Sequence, residues 1–254
     1  TSAATIRADV DSVARIVARG RGCIAGLGPA LRTFELVDAS VATAALVTDG
    51  AVVGEGTELA SVAGPARSLL AAERVALNVL GHLSGVATAT RALVDRIEGT
   101  GATILDTRKT TPLWRSLEKA AVRAGGGANH RMGLFDAVLI KDNHVQAVGS
   151  VAEAVRRART AVGGDVQVEV EVERVSDLEG AIEAGADVVM LDNMRPAEMR
   201  KAVELARGRC LLEASGGITR RNIRRVAETG VDFISVGWIT HSAPALDVAL
   251  DFEG

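Results

Sequence analysis

The 254-residue sequence predicts an α/β protein whose larger part is an incomplete (β/α) barrel. Three observations carry that expectation. After Gly101, brief Val/Ile/Leu-rich runs alternate with amphipathic segments, the order of a parallel sheet with helical crossovers. The closing repeats are short: Glu171 to Asp192 spans 21 positions, Asp192 to Glu213 another 21, and Glu213 to Gly237 24. Roughly 150 residues at that spacing accommodate six or seven strands, too few for a full eight-stranded barrel.

Taken in order, residues 1 to 20 read as a strand or loop followed by a short extended run, and the start without Met suggests that a few residues ahead of Thr1 were removed or left out. From Cys23 to Ala63, short apolar runs (CIAGLG, FELV, VATAALV, AVVGEG, ELASVAG) are broken by Gly, Asp and Pro, which predicts a small β-rich domain. Beyond Pro65 the period lengthens. Apolar positions at Leu69, Leu70, Val75, Leu77, Leu80, Leu83 and Val86 suit helices running to Ile97. The barrel strands are expected at 103–106, 137–140, 166–171, 187–191, 210–213 and 233–236. Helices are expected at 112–124, 150–162, 176–184, 196–207 and 219–229.

Composition narrows the function. The chain is 48% hydrophobic and 24% charged, the profile of a globular protein able to bury a sizeable core. No run of eighteen apolar residues and no charged-then-apolar leader appears, so a cytoplasmic protein is expected. Cys23 and Cys210 lie far apart without metal-ligand neighbours and are expected to be buried free thiols. A net charge of −3, 2% aromatics and no tyrosine argue against a nucleic-acid partner.

Against that mild acidity, residues 108–144 stand out. They hold seven Lys/Arg (Arg108, Lys109, Arg115, Lys119, Arg123, Arg131, Lys141) against three carboxylates (Glu118, Asp136, Asp142), a local excess of four positive charges. Such a cluster suits a small, highly charged anion. In parallel β/α folds the C-terminal strand ends carry the site. Here those positions are Asp106/Arg108/Lys109, Lys141/Asp142, Glu171, Asp192, Ser215-Gly216-Gly217 and Gly237. Six such endings in series are hard to attribute to surface charge alone. Gly216-Gly217, a helix beginning near Thr219, and Gly237 would aim backbone N–H groups at one point, a geometry for a monophosphate, although a lone glycine pair is otherwise an ordinary turn. Glu171 and Asp192 on adjacent strands suit Mg²⁺ held through water, or ribose hydroxyls. Glu169, Glu171 and Glu173 alternate onto one face; in a barrel that face is the lumen, where they need cations such as Lys109 or Lys141. His130 and His144 lack metal-site spacing; anion contact is expected of His130 and a structural role of His144, while His82 and His241 stay unassigned. Lys141 also occupies a position suited to a Schiff-base lysine.

The segments DTRKTTP, AVRAGGGANHR, GLFDAVLIKDNH, VEVEVE, AGADVVMLDN, EASGGIT and VGWITHS, in this order, resemble the quinolinate phosphoribosyltransferase family of type II phosphoribosyltransferases, from about Leu69 to the C-terminus. The resemblance implies an N-terminal α/β sandwich domain (1–86, with the tail 244–254 packing on it) and an open α/β barrel (87–243), paired as a head-to-tail homodimer. It implies an Mg²⁺-dependent pentosyltransferase that joins quinolinate to phosphoribosyl pyrophosphate, releasing pyrophosphate and CO₂ and forming nicotinate mononucleotide for NAD biosynthesis. By motif, Arg108, His130, Arg131 and Lys141 match the pocket for the quinolinate dicarboxylate. Arg74 matches an arginine supplied by the partner subunit. Lys109, Glu171 and Asp192 match the groups around ribose and Mg-pyrophosphate, and Ser215, Gly216 and Gly237 the 5′-phosphate loop. The catalytic set implied is Lys109, Lys141, Glu171 and Asp192, with the two acids stabilising positive charge on the sugar. Three departures accompany the match: the family's N-terminal helix and Gly-Asp-x-Thr turn are missing ahead of Thr1, Leu113-Trp114 intervene where the family usually has Pro-Gly before a Leu-Arg or Phe-Arg pair, and Trp238 follows Gly237 where a small residue is usual.

Three alternatives compete with that reading. One is a phosphoribosyltransferase of the same fold acting on another acid. The others are a Schiff-base aldolase or phosphate-binding isomerase using Lys141, and a binding protein without turnover.

Overall fold

The strands expected after Gly101 form one six-stranded parallel sheet, and the computed structural model describes residues 1–253. By contact density the chain divides into two units. Among the described residues the first comprises 1–91, 111–126 and 239–253, the second 92–110 and 127–238.

In the first unit, β1 (Asp11–Ala18), β2 (Gly22–Cys23), β3 (Ala42–Ala45), β4 (Val52–Val53) and β5 (Glu58–Pro65) are joined by α1 (Leu27–Val37) and α2 (Ala66–Val94). The C-terminal strand Val248–Phe252 pairs antiparallel with β1, which pairs with β5, which pairs with β3. A register shift at Ile16/Val17 bends β1. Helix α1 departs from the β-rich expectation. FELV belongs to it, and Leu27, Ala30, Leu31 and Phe34 form a buried i, i+3, i+4, i+7 stripe. Gly26, Gly28 and Pro29 disguise its start as a turn, but proline is tolerated in a first helical turn. The orphan N–H groups there are satisfied from a distance, because the Asp49 carboxylate accepts from Gly26 N (2.9 Å) and Leu27 N (3.2 Å). Phe34, Leu59, Leu69 and Leu80 are wholly buried in the core between α1, α2 and the sheet, each contributing about 1.5–3 kcal/mol relative to exposure.

Also in this unit, α3 (Arg115–Ala124) is fastened to α2 by polar contacts. Glu118, fully buried, meets His82 Nε2 at 2.7 Å and accepts Thr111 N–H at 3.1 Å. Trp114 stands edge-on to His82, ring centroids 5.3 Å apart. Leu113, fully exposed, takes φ +68°, a conformation strained for a branched residue. Here the Leu113-Trp114 departure has a local consequence: the pair makes the turn that starts α3 and seats the indole on His82.

The second unit contains β6 (Thr103–Leu105), β7 (Val138–Ile140), β8 (Val168–Val172), β9 (Val188–Asp192), β10 (Leu211–Ser215) and β11 (Phe233–Ser235) in the spatial order β6-β11-β10-β9-β8-β7. This is a sequential parallel barrel left open between β6 and β7. A short parallel bridge, Leu105 to Ala128, extends the β6 edge. Crossover helices are α4 (Asp142–Val148), α5 (Val151–Val162), α6 (Leu178–Glu183), α7 (Pro196–Ala206) and α8 (Ile223–Ala227). Strand bottoms repeat one device: Asp187 accepts Val168 N–H at 2.7 Å, and Asp232 accepts Leu212 N–H at 2.8 Å. An aspartate just before one strand thus satisfies a donor at the start of its neighbour. No helix among the described residues is long and apolar enough to cross a membrane.

Candidate active site

Asp106 is the hinge of the site. It follows β6 and is wholly buried, and it accepts His130 N–H at 2.9 Å and Asn129 Nδ2 at 2.5 Å. A carboxylate in that position compels segment 128–131 to turn against the end of β6, which fixes where His130 and Arg131 emerge. Beyond it, Thr107 Oγ1 accepts Lys109 N–H at 3.0 Å, and Arg108 O accepts Thr110 N–H at 3.0 Å. These tight local turns present Arg108 and Lys109, both exposed, as consecutive cations.

Arg131 is half-buried, with Nη1 donating to Ala137 O at 3.2 Å. Its Nε is buried and without a hydrogen-bond partner among the described residues. Burial and the neighbouring Arg108 charge pull its pKa below the ordinary guanidinium value, against the opposing pull of Glu169 and Asp136. Asp136 steadies the same loop. Burial alone would raise its pKa, but it falls below the ordinary value because Met132 and Gly133 N–H donate to the carboxylate and Arg131 is near.

Lys141 ends β7, its Nζ 2.9 Å from Glu171 Oε2. Half its side chain is exposed, and its Nζ is engaged by the Glu171 carboxylate. His144 Nδ1 accepts Lys141 N–H at 3.0 Å at the start of α4, the structural use expected of it. Glu171 and Asp192 lie at the ends of the paired strands β8 and β9. Asp192 accepts Asn193 Nδ2 at 2.8 Å. Glu169 faces inward as expected from the VEVEVE alternation, but its partner is His130 Nε2, at 3.0 Å. Glu173 is exposed beyond the strand.

The glycine loop after β10 is constrained by its neighbours. Gly216 has φ +88°, and an added Cβ would meet Asn193 Oδ1 at 2.2 Å. Gly217 also has positive φ, +62°. Asn193 N–H donates to Ser215 O at 2.9 Å, so the loops after β9 and β10 are locked together. The regular helix starts at Ile223 rather than near Thr219, because Asn222 Oδ1 first takes Thr219 N–H at 2.7 Å and its Nδ2 donates to Gly217 O at 2.9 Å. After Gly237, the Trp238 indole donates to Ile218 O at 3.2 Å and lies under Arg220 at 5.5 Å. The bulky residue therefore braces the glycine loop from the side.

The structure thus brings Arg108, His130, Arg131, Lys141, Glu171, Asp192, Ser215, Gly216 and Gly237 onto the strand ends of one unit. Arg74 lies in the other unit, on α2, its side chain 73% exposed beside Glu73. Sequence reasoning left three contributors without a role: Asp106 as an anchor, Glu213 buried on β10, and Asn193 against Gly216. The strongest signal for the last was the Asp-Asn pair after an apolar run, which also fits a simple turn.

Two family models match: the N-terminal domain of quinolinate phosphoribosyl transferase over residues 1–84 and its C-terminal domain over 86–251. The chain belongs to the quinolinate phosphoribosyltransferase family. A probable nicotinate-nucleotide pyrophosphorylase (carboxylating) of Bacillus subtilis is 46% identical over 238 residues, covering 94% of this chain and 82% of the relative. A nicotinate-nucleotide pyrophosphorylase (carboxylating) of Mycobacterium leprae is 44% identical over 256 residues, covering 99% and 90%. Among solved structures, the nicotinate-nucleotide pyrophosphorylase of Francisella tularensis superposes with a TM-score of 0.96 at 42% identity, covering all of this chain and 90% of that one. The family's sandwich-plus-open-barrel architecture is the one described above.

Proposed function

We propose that the protein transfers the phosphoribosyl group of phosphoribosyl pyrophosphate to the ring nitrogen of quinolinate with loss of the 2-carboxylate, forming nicotinate mononucleotide, pyrophosphate and CO₂ in NAD biosynthesis. The observation that carries this reading is Arg131: a half-buried guanidinium whose Nε has no hydrogen-bond partner among the described residues, held beside the like charge of Arg108. Two cations crowded together at a barrel mouth suit a rigid dianion, whose carboxylates accept forked guanidinium hydrogen bonds and offset the repulsion. The family membership and the names of the relatives point the same way.

In the reaction, the C1′–O bond to pyrophosphate breaks and the ring nitrogen takes C1′. Arg108, Arg131 and Lys141 orient the ring so that its lone pair faces the sugar, and Lys109 meets the departing pyrophosphate. Glu171 and Asp192 stabilise the cationic character of the ribose as the bond breaks. Once the nitrogen is quaternised, the 2-carboxylate leaves as CO₂ and its electron pair passes into the ring carbon, which then takes a proton. Ser215, Gly216 and Gly237 hold the 5′-phosphate by backbone and hydroxyl donors. Glu171 and Asp192, hard oxygen donors on adjacent strand ends, fit a hydrated Mg²⁺, which when bound would neutralise the pyrophosphate. We further propose a head-to-tail homodimer in which the exposed Arg74 serves the partner's site.

The test is turnover. With quinolinate, phosphoribosyl pyrophosphate and Mg²⁺, the protein should release CO₂, pyrophosphate and nicotinate mononucleotide in equal amounts. Absence of all three would refute the reading.

A further inference from the structure

Beneath the site lies an acidic floor. Glu169 and Glu213 are 3% and 1% exposed and come from β8 and β10. Each sits two residues before a site residue, Glu171 and Ser215, and so roughly 7 Å deeper in the barrel. Both reach one imidazole: His130 Nε2 is 3.0 Å from Glu169 Oε2 and 3.7 Å from Glu213 Oε2. The other ring nitrogen, Nδ1, accepts Arg131 N–H at 2.7 Å, which leaves the ring proton on Nε2 and points it at the carboxylates. Oε1 of each glutamate is buried and without a partner among the described residues.

Two ionised carboxylates cannot share one neutral imidazole in such a place, because each buried charge needs its own compensation. One must keep a proton. The group that does so is Glu213, whose pKa is pushed up to about 8 by burial and then by the Glu169 charge, against the pull of His130 and Ser235. The groups facing it are Glu169 from β8, His130 from segment 127–131 and Ser235 from β11, with apolar Met190 at the paired position of β9.

We infer that Glu213 is a positioning residue for quinolinate capture: as a neutral acid packed beside Glu169 it helps to seat His130, and through the His130–Arg131 hydrogen bond the arginine, without adding its own charge to the floor. The ring contact to Glu169 uses the Nε2 proton, so Glu169 is the carboxylate that holds the imidazole directly and Glu213 stands behind it at 3.7 Å. Both consequences matter for a dianion. A second negative charge below the guanidinium wall would weaken its attraction, and a loosened imidazole would let Arg131 drift from its Nη1 anchor.

This role rests on the phosphoribosyl-transfer reading, and the experiment separates the two. Steady-state constants for both substrates would be measured for the unaltered protein, Glu213→Gln and Glu213→Ala between pH 6.5 and 9.5, with folding checked by circular dichroism. The amide of Glu213→Gln keeps a neutral donor in place at every pH. The expected result is a quinolinate KM that rises in the unaltered protein as pH passes about 8, but stays flat in Glu213→Gln. Glu213→Ala should raise that KM at least tenfold at all pH values, leave the phosphoribosyl pyrophosphate KM within twofold, and be largely rescued by Gln. Superimposable quinolinate profiles for the unaltered protein and Glu213→Gln would overturn the inference. So would an equal loss for both substrates in Glu213→Ala without rescue by Gln. No turnover by the unaltered protein would instead overturn the functional reading and, with it, this role.

Discussion

Asp106→Ala probes the contact on which the cationic wall depends. The carboxylate is fully buried and receives His130 N–H and Asn129 Nδ2. Truncation strands two donors away from water at about 1–3 kcal/mol each, so a loss on the order of 2–6 kcal/mol in stability follows. Asp106→Asn keeps one acceptor oxygen and turns an NH₂ group towards the other donor, so its cost should fall at about half that value. The catalytic consequence is larger than the energetic one suggests. Segment 128–131 carries His130 and Arg131, and a misplacement of about 1 Å in a positioning group can cost ~100-fold in rate. Urea unfolding and quinolinate kinetics on the same preparations give both readouts. Stability within about 0.5 kcal/mol of the unaltered protein together with an unchanged quinolinate KM would refute the reasoning.

Three further outcomes are expected. Gly216→Ala must take φ +88° and displace Asn193 Oδ1 from 2.2 Å; a stability loss of about 1–2 kcal/mol from the backbone alone should accompany a severalfold rise in the phosphoribosyl pyrophosphate KM, with quinolinate binding within twofold by titration calorimetry. Glu213 favours its neutral form in the folded state, with its pKa raised from 4.5 to about 8, so its contribution is intact below pH 4.5 and is lost as pH rises to about 8. Chemical denaturation should therefore show Glu213→Gln gaining on the unaltered protein across that window by a few kcal/mol, at about 1.4 kcal/mol per pH unit as a ceiling, and levelling above it. Inactive Arg74→Ala and Lys141→Ala subunits should regain part of their activity on mixing; verified heterodimers without recovery would remove the shared-site proposal.

Most of the barrel was legible because its signal is local. Each strand is a short Val/Ile/Leu run with a charged or glycine terminus, and all six fall within two residues of their expected bounds. Helix α1 was not, since Gly26, Gly28 and Pro29 are turn residues in isolation and its capping group, Asp49, is more than twenty positions away. The site divided similarly. Arg108, Lys141, Glu171 and Asp192 were readable as charges at strand ends, Arg131 as one of the cations clustered in 108–144, and the inward face of Glu169 followed from alternation. The partner of Glu169 was not readable, because whether a lumenal carboxylate meets Lys109, Lys141 or His130 depends on how the loops fold over the strand ends. Glu213 was invisible for the same reason: LLEAS carries one acid at an ordinary strand position, and only the sheet order sets it across from Glu169.

The central claim is that guanidinium and ammonium groups at the strand ends recognise both carboxylates of a pyridine diacid. Titration calorimetry of quinolinate against nicotinate, which lacks the second carboxylate, tests it most directly, with Arg131→Ala alongside. The account predicts that quinolinate binds at least tenfold more tightly than nicotinate and that Arg131→Ala abolishes the difference. Equal affinities for the two acids, or full discrimination retained by Arg131→Ala, would contradict it.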